Sequence, residues 1–339
     1  MDAAGLVRRA APAAAVLTGL GTCLPRTEIP NSALADVLDT SDEWIRTRTG
    51  IAARRRAAPA VSLADLAGAA AGNALRSAGR DTVDALVVAT STPERPCPAV
   101  APELAHRLGQ GAIPAFDVSA VCSGFVYATA TAAGLLAAGL ADHVLVVAAE
   151  IYSRIVDPTD RATAVLFGDG AGAVVLRRGT QDEAGALLAF DLGSDGAGRD
   201  LIRVPGEREQ PTGERWFTMA GRQVYLQAIR HMSNSALRVL KDCAWDAETL
   251  GAFVAHQANA RIIDAVAAQL GVPSWAVVRE LALVGNTAAA SIPLALADAA
   301  AAGRIGPGAR TVLTAFGGGL TWGSTALIWP ELAPVRSEI

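Results

Sequence analysis

Lysine is almost missing from this chain: Lys241 stands alone, and every other one of the 29 basic residues is arginine. A Schiff-base enzyme would have to use that one residue, and no GxxxxGK[ST] loop exists to cradle nucleotide phosphates. Cysteine and histidine are scarce as well. Cys23, Cys97, Cys122 and Cys243 are scattered without a CxxC spacing, so reduced thiols in a cytoplasmic protein are expected rather than a disulfide framework. His106, His143, His231 and His256 form no HExxH or HxxxH pattern, so no metal centre is expected. No apolar stretch reaches the ~18 residues of a membrane span without a charge or turn residue. A net charge of −4, with Lys+Arg 29 against Asp+Glu 33, gives no basic surface for nucleic acid.

What the chain has is apolar bulk. Hydrophobic residues make up 51% of its 339 positions, enough for a large core. The opening segment "LVRRAAPAAAVLTGLGTCLP" has the charge-then-apolar order of a signal peptide. Its apolar run is short and holds Pro12, so a first strand over Ala14–Gly19 is expected instead. Further strands are expected at Ala85–Thr90, Ala115–Val118, Val144–Ala149, Ala171–Leu176, Gly185–Leu192, Ala252–Ala255, Thr311–Phe316 and Ser324–Trp329. Alanine-rich helices lie between them. Continuous runs such as "DALVVAT" suit strands covered on both faces, which is α/β architecture. The two halves echo each other: "DALVVATST" resembles "GAFVAHQAN", and "AAGLLAAGLADHVLVVAAE" resembles "ALADAAAAGRIGPGARTVLTAFGGG". A duplication jointed near Arg177–Glu183 divides the chain into residues 1–183 and 184–339, with two stacked sheets.

Cys122 lies in "AFDVSAVCSGFVYA", a strand, a polar turn and a helix. Unpaired N–H groups at a helix start favour a thiolate and lower a thiol's pKa. Gly124 beside it would let a substrate approach, and the Cys122 N–H could hold an oxyanion. A buried, inert cysteine is the other reading. His256 follows a short strand beside Gln257 and Asn259, and Asn286 occupies a Gly-Asn turn before a helix. Each has a plain structural reading alongside the catalytic one. Gly317 to Gly319 form either a simple loop or a second source of oxyanion donors.

Taken together, these segments resemble the β-ketoacyl-acyl carrier protein synthase III family of the thiolase-like superfamily. The resemblance runs through "DTSDEWIRTRTGI" (Asp39–Ile51), "DVSAVCSGF", "DRATAVLFGDGAGAV", "HQANARI", "GNTAAASIP" and "FGGGLTWGS", in the family's order. It implies a thiolase-like fold, two duplicated βαβαβ-type halves in a five-layered α-β-α-β-α arrangement. By resemblance, Cys122, His256 and Asn286 form a catalytic triad. Cys122 would take an acyl primer from acyl-CoA, with its own N–H and that of Gly318 holding the oxyanion. His256 and Asn286 would stabilise the enolate formed as malonyl-acyl carrier protein loses CO₂, and Phe316 would wall off the carboxylate. Trp44, Arg48, Arg161 and Asn259 would contact coenzyme A. No cofactor is expected, since acyl-CoA and the malonyl carrier protein are substrates, and a homodimer is implied.

Two departures from the family pattern stand out. Arg222, Arg230 and Arg261 remain where the carrier protein would dock, but Leu226, Ala268 and Gln269 thin the basic patch. Cys97 stands in "STPERPCPA", a loop that in the family reaches the partner's acyl pocket, where some members carry a large aromatic. A longer or branched primer is therefore expected, in fatty-acid synthesis or, slightly favoured, the priming of a polyketide or other secondary metabolite. The alternative is an acyltransferase of the same fold that serves an alcohol or amine without condensation.

Overall fold

The computed structural model describes residues 13–339, so Arg8, Arg9 and Pro12 of the signal-like segment lie outside the described residues. The strands are, in chain order, β1 (Ala13–Leu24), β2 (Thr27–Pro30), β3 (Ala53–Arg56), β4 (Ala85–Ala89), β5 (Ala115–Val118), β6 (His143–Ile151) and β7 (Asp169–Thr180). They continue with β8 (Leu187–Ser194), β9 (Ile202–Arg203), β10 (Thr218–Met219), β11 (Ala252–Ala255), β12 (Arg310–Gly317), β13 (Thr321–Ile328) and β14 (Val335–Glu338).

Two sheets carry the fold. The first has the order β14-β1-β7-β6-β4-β5 and the second β11-β12-β13-β8. The duplication is visible in the pairing. β1–β7 and β7–β6 are antiparallel and β6–β4 is parallel; β8–β13 and β13–β12 are antiparallel and β12–β11 is parallel. β5 is matched only by an isolated parallel bridge, Phe253 to Val277.

Apolar residues on both faces of each sheet make the layers. The helices Gly124–Ala137 and Ser291–Ala301 fill the space between the sheets, packing Phe125, Val126 and Leu296 with Val87, Val146 and Leu313. Leu63–Ser77 and Val100–Arg107 cover the outer face of the first sheet. Gly221–Asp242 and Ala260–Leu270 cover that of the second. The result is α-β-α-β-α, as the resemblance implies. Close packing needs glycine at Gly21 of β1, where an added Cβ would fall 2.1 Å from the Ala74 nitrogen.

The structure adds elements that periodicity does not show. β1 and β7 run longer than expected, while β2 and β3 form a polar ribbon. In that ribbon Arg54 is fully buried, donating to Ile29 O (3.1 Å), Asn31 Oδ1 (2.8 Å) and Val165 O (2.8 Å). β14 returns from the end of the chain to pair with β1. Among the described residues, no helix is long and apolar enough to cross a membrane.

Candidate active site

The nucleophile's turn is strained. β5 ends at Val118, and a single 3₁₀ turn, Val121–Ser123, leads into the central helix Gly124–Ala137. Val121 has φ +47°, which a β-branched residue adopts only when its surroundings force it. The second half repeats the device: the 3₁₀ turn Ala288–Ala290 enters the other central helix, and Ala288 has φ +45°. Cys122 and Asn286 therefore come from equivalent turns of the two halves. Gly124 faces inward, its missing Cβ lying 3.1 Å from the Ala89 Cβ and 3.3 Å from the Ala289 Cβ. There it packs against β4 and the turn that leads into the other central helix.

One cavity of about 40 Å³ is lined by Cys122, His256, Asn286 and Phe316, together with Phe167, Ile202, Phe217, Met219 and Met232. His256 and Asn286 are each tethered through one side-chain atom. Asn286 Oδ1 accepts from the Ala288 N–H (2.9 Å), which leaves the amide's NH₂ for the cavity. Its backbone is clamped by Leu166 O, which accepts from its N–H (2.9 Å), and by the Gly168 N–H, which donates to its carbonyl (3.0 Å). Arg54 braces that segment at Val165. His256 Nδ1 lies 2.7 Å from Ser291 Oγ. Burial pushes the imidazole down to about 3, so it is neutral at physiological pH.

The thiol departs from expectation. Burial pushes Cys122 well up, and the Glu150 carboxyl pushes it further. Loss of hydration here opposes the helix start and favours the protonated thiol in the closed site. Glu150 is itself fully buried, taking hydrogen bonds from Ser91 Oγ (2.9 Å), the Ser91 N–H (3.1 Å) and Thr92 Oγ1 (2.8 Å). Burial nevertheless raises it to about 7.

The glycine turn is set against the nucleophile. An added Cβ at Gly317 would fall 2.8 Å from the Cys122 nitrogen, and one at Gly318 would fall 3.1 Å from Ile202 O. Thr321 Oγ1 lies 2.9 Å from Gly318 O, 3.1 Å from Ala120 O and 2.8 Å from Ser123 Oγ, fastening this turn to the one before Cys122.

Two larger spaces flank the small cavity. Outward, one of about 310 Å³ shares Met219, Val224, Ala258, Ile262 and Asn286 with it and opens past Trp44, Arg48 and Asn259. The guanidinium groups of Arg161 and Arg48 lie over the Trp44 ring, 5.0 and 5.7 Å from its centroid, so a base stacking beneath Arg161 must displace it. Asn259 caps the helix Ala260–Leu270 through the Arg261 N–H (2.9 Å) and donates to Arg48 O (3.1 Å), so it shapes this mouth as well as lining it. On another side, an open chamber of about 370 Å³ shares Ile202 and Phe217 and extends along Val121, Tyr152, Ile155 and the exposed Val204. Tyr152 stacks on Phe167 at 4.5 Å, and its hydroxyl lies 3.1 Å from Ser91 Oγ.

Cys97 is exposed and lines none of these spaces within its own chain. Arg222, Arg230 and Arg261 are exposed, with Arg261 over the Tyr225 ring at the mouth. Among the described residues none of the three pairs with a carboxylate, whereas Arg46, Arg107, Arg238, Arg279 and Arg336 do. No cluster of three or more metal-ligating side chains occurs among the described residues. Reading along the sequence missed Tyr152, Ile202 and Phe217, which carry no local motif, and gave no role to Ser291 although it lies within "GNTAAASIP".

A layered α/β duplication with cysteine, histidine and asparagine meeting in one apolar cavity defines a thiolase-fold condensing enzyme. Family models agree on both halves: "3-Oxoacyl-[acyl-carrier-protein (ACP)] synthase III" matches residues 116–196, and its C-terminal counterpart matches 240–329. A β-ketoacyl-[acyl-carrier-protein] synthase III of Streptomyces coelicolor is 53% identical over 97% of this chain and 98% of that protein. The crystal structure of the Pseudomonas aeruginosa enzyme superposes with a TM-score of 0.91 at 51% identity, covering 95% of this chain and 100% of that one. The structure of a priming β-ketosynthase from a polyketide pathway gives 0.89 at 34% identity, covering 96% and 99%. The chain belongs to the β-ketoacyl-acyl carrier protein synthase III family and is an acyl-transferring condensing enzyme.

Proposed function

We propose that this enzyme starts chains: it takes an acyl primer from acyl-CoA onto Cys122 and condenses it with malonyl-acyl carrier protein to give a 3-oxoacyl-acyl carrier protein. The observation that carries this is the cavity in which Cys122, His256 and Asn286 meet, the two donors each tethered through one side-chain atom. The Cys122 sulfur attacks the thioester carbonyl, the carbon–sulfur bond to coenzyme A breaks, and the proton lost by the thiol ends on the departing sulfur. The N–H groups of Cys122 and Gly318 hold the transient oxyanion.

In the second half-reaction the malonyl thioester oxygen accepts hydrogen bonds from His256 and Asn286 while its carboxylate leaves as CO₂. Two neutral donors suit an oxygen that gains charge only as the bond breaks. Phe316 presents an apolar wall that gives the carboxylate no hydrogen-bonding partner. The enolate carbon attacks the acyl carbonyl, and Cys122 departs and regains a proton. Coenzyme A enters past Trp44, Arg48, Arg161 and Asn259, and the carrier protein docks on Arg222, Arg230 and Arg261, whose charges lack partners among the described residues. A homodimer is the assembly we assign. β5 is an edge strand, and the exposed Cys97 loop is free to reach a second copy.

The finer reading is a primer larger than acetyl, as in polyketide or other secondary-metabolite priming. The 370 Å³ chamber and the small side chain at Cys97 support it. The test is to supply acyl-CoA primers from acetyl to branched C4–C5 with malonyl-acyl carrier protein, following CO₂ and product mass. Propionyl or branched primers should match or exceed acetyl, and a strict acetyl preference overturns this finer reading. Condensation product from Cys122→Ala overturns the covalent mechanism.

A further inference from the structure

His256 is asked to donate a hydrogen bond, yet a neutral imidazole carries one proton on one of two nitrogens. Which nitrogen holds it is decided behind the ring. His256 Nδ1 lies 2.7 Å from Ser291 Oγ, and the same oxygen accepts from the Gln257 N–H at 3.2 Å. The peptide N–H is a donor only, so the serine oxygen turns a lone pair toward it. Among the described residues no carbonyl accepts from Ser291, unlike Ser123 and Thr129, whose hydroxyls each reach a carbonyl three residues back. The acceptor left for the serine proton is Nδ1.

We propose that Ser291 is a positioning residue: its hydroxyl, oriented by the Gln257 N–H, donates to His256 Nδ1 and so keeps the imidazole proton on Nε2, facing the cavity. This rests on the reading of His256 as an enolate-stabilising donor. The arrangement is well anchored. Ser291 and His256 are buried, and Ser291 is the first residue of the central helix Ser291–Ala301. Gln257 is pinned by Ala255 O (2.6 Å), Val278 O (3.3 Å) and the Glu280 N–H (2.8 Å). A hydroxyl behind the ring has a further effect. A carboxylate there would stabilise the imidazolium, whereas serine leaves the ring neutral, consistent with its depressed pKa. The segment Asn286–Ser291 thus provides one donor directly and sets the other.

The experiment uses ¹⁵N-histidine-labelled enzyme, with its four histidines assigned by single substitution. In the parent, the His256 resonances should show a protonated Nε2 and a bare Nδ1 at neutral pH. A proton on Nδ1 overturns the proposal outright and needs no variant. In Ser291→Ala the pattern should mix or reverse. CO₂ release from malonyl-acyl carrier protein should fall about tenfold, the worth of one hydrogen bond. Acylation of Cys122, read by intact mass, should stay within about twofold, because no part of that step uses Nε2 as donor. CO₂ release that falls with the parent's tautomer retained would mean a merely structural serine, and also overturns the proposal. His256→Ala separates the underlying reading: if it leaves CO₂ release intact the donor role fails, while the tautomer is still read from the spectra.

Discussion

One methyl group at Gly317 should separate the two half-reactions. The Cβ of Gly317→Ala would stand 2.8 Å from the Cys122 nitrogen, 3.0 Å from the Ser123 nitrogen and 3.1 Å from Ala120 O. All three are backbone atoms and cannot rotate aside. The shortest contact falls about 0.6 Å inside ordinary van der Waals distance, so either the glycine turn or the nucleophile turn must retreat. Overpacking of this kind costs about 1–3 kcal/mol of stability. The larger effect is on loading, because the displaced groups include the Cys122 N–H and the neighbouring Gly318. Losing the alignment of one oxyanion donor lowers the rate by about 10²–10³. His256 and Asn286 stand on other turns, so decarboxylation should fall by less than about threefold. Loading is read by intact mass at timed quenches after acyl-CoA addition. Decarboxylation is read as CO₂ release from malonyl-acyl carrier protein in a Cys122→Ala background, and thermal unfolding checks the fold. A folded Gly317→Ala enzyme that loads at the parent rate, or loses both steps equally, would refute the placement of the oxyanion donors.

Further outcomes can be checked with urea unfolding and steady-state kinetics. His256 is held neutral in the fold, at about 3, while the unfolded chain takes up a proton below its ordinary 6.5. Its contribution is fully present above pH 6.5 and lost as pH falls, so His256→Asn should lose about 2 kcal/mol less than the parent between pH 7 and 5; parallel curves exclude this. Glu150 has the opposite sign, its carboxyl raised from 4.5 to about 7. The fold favours its protonated form, so stability is lost as pH rises from 4.5 to 7, and Glu150→Gln should gain about 3 kcal/mol on the parent over that range. A constant difference between the two proteins would count against a neutral buried carboxyl. Arg222→Glu with Arg261→Glu should lower kcat/KM for malonyl-acyl carrier protein about tenfold, more at low salt, while acyl-CoA loading changes by less than about twofold. Equal loss of both would mean the arginines serve the shared mouth rather than docking.

Strands covered on both faces announce themselves as unbroken apolar runs, and β4, β5, β6, β11 and β12 lie close to where those runs place them. The ribbon of β2 and β3 and the returning β14 escape notice because they are short, polar and stabilised by distant partners. Arg54 illustrates the difficulty: three consecutive arginines suit a solvated surface, yet the first of them is fully buried and braces the Asn286 clamp. The strand-turn-helix around Cys122 and the Gly-Asn turn at Asn286 are visible as local chemistry. Tyr152 and Phe217 are not, since a residue lining a chamber differs in no local way from one filling a core.

What the sequence determined by itself is the α/β alternation, the echo between halves and the three polar residues placed in turns at the ends of elements, because period and turn chemistry act between near neighbours. Tertiary structure alone decided the state of those residues. The helix start at Cys122 argued for a thiolate, but the packing that removes its water and brings Glu150 near pushes it toward the thiol. Likewise the side of His256 that carries the proton depends on Ser291, 35 residues away along the chain. Desolvation and long-range hydrogen bonds are properties of the folded surroundings, and no local stretch of sequence contains them.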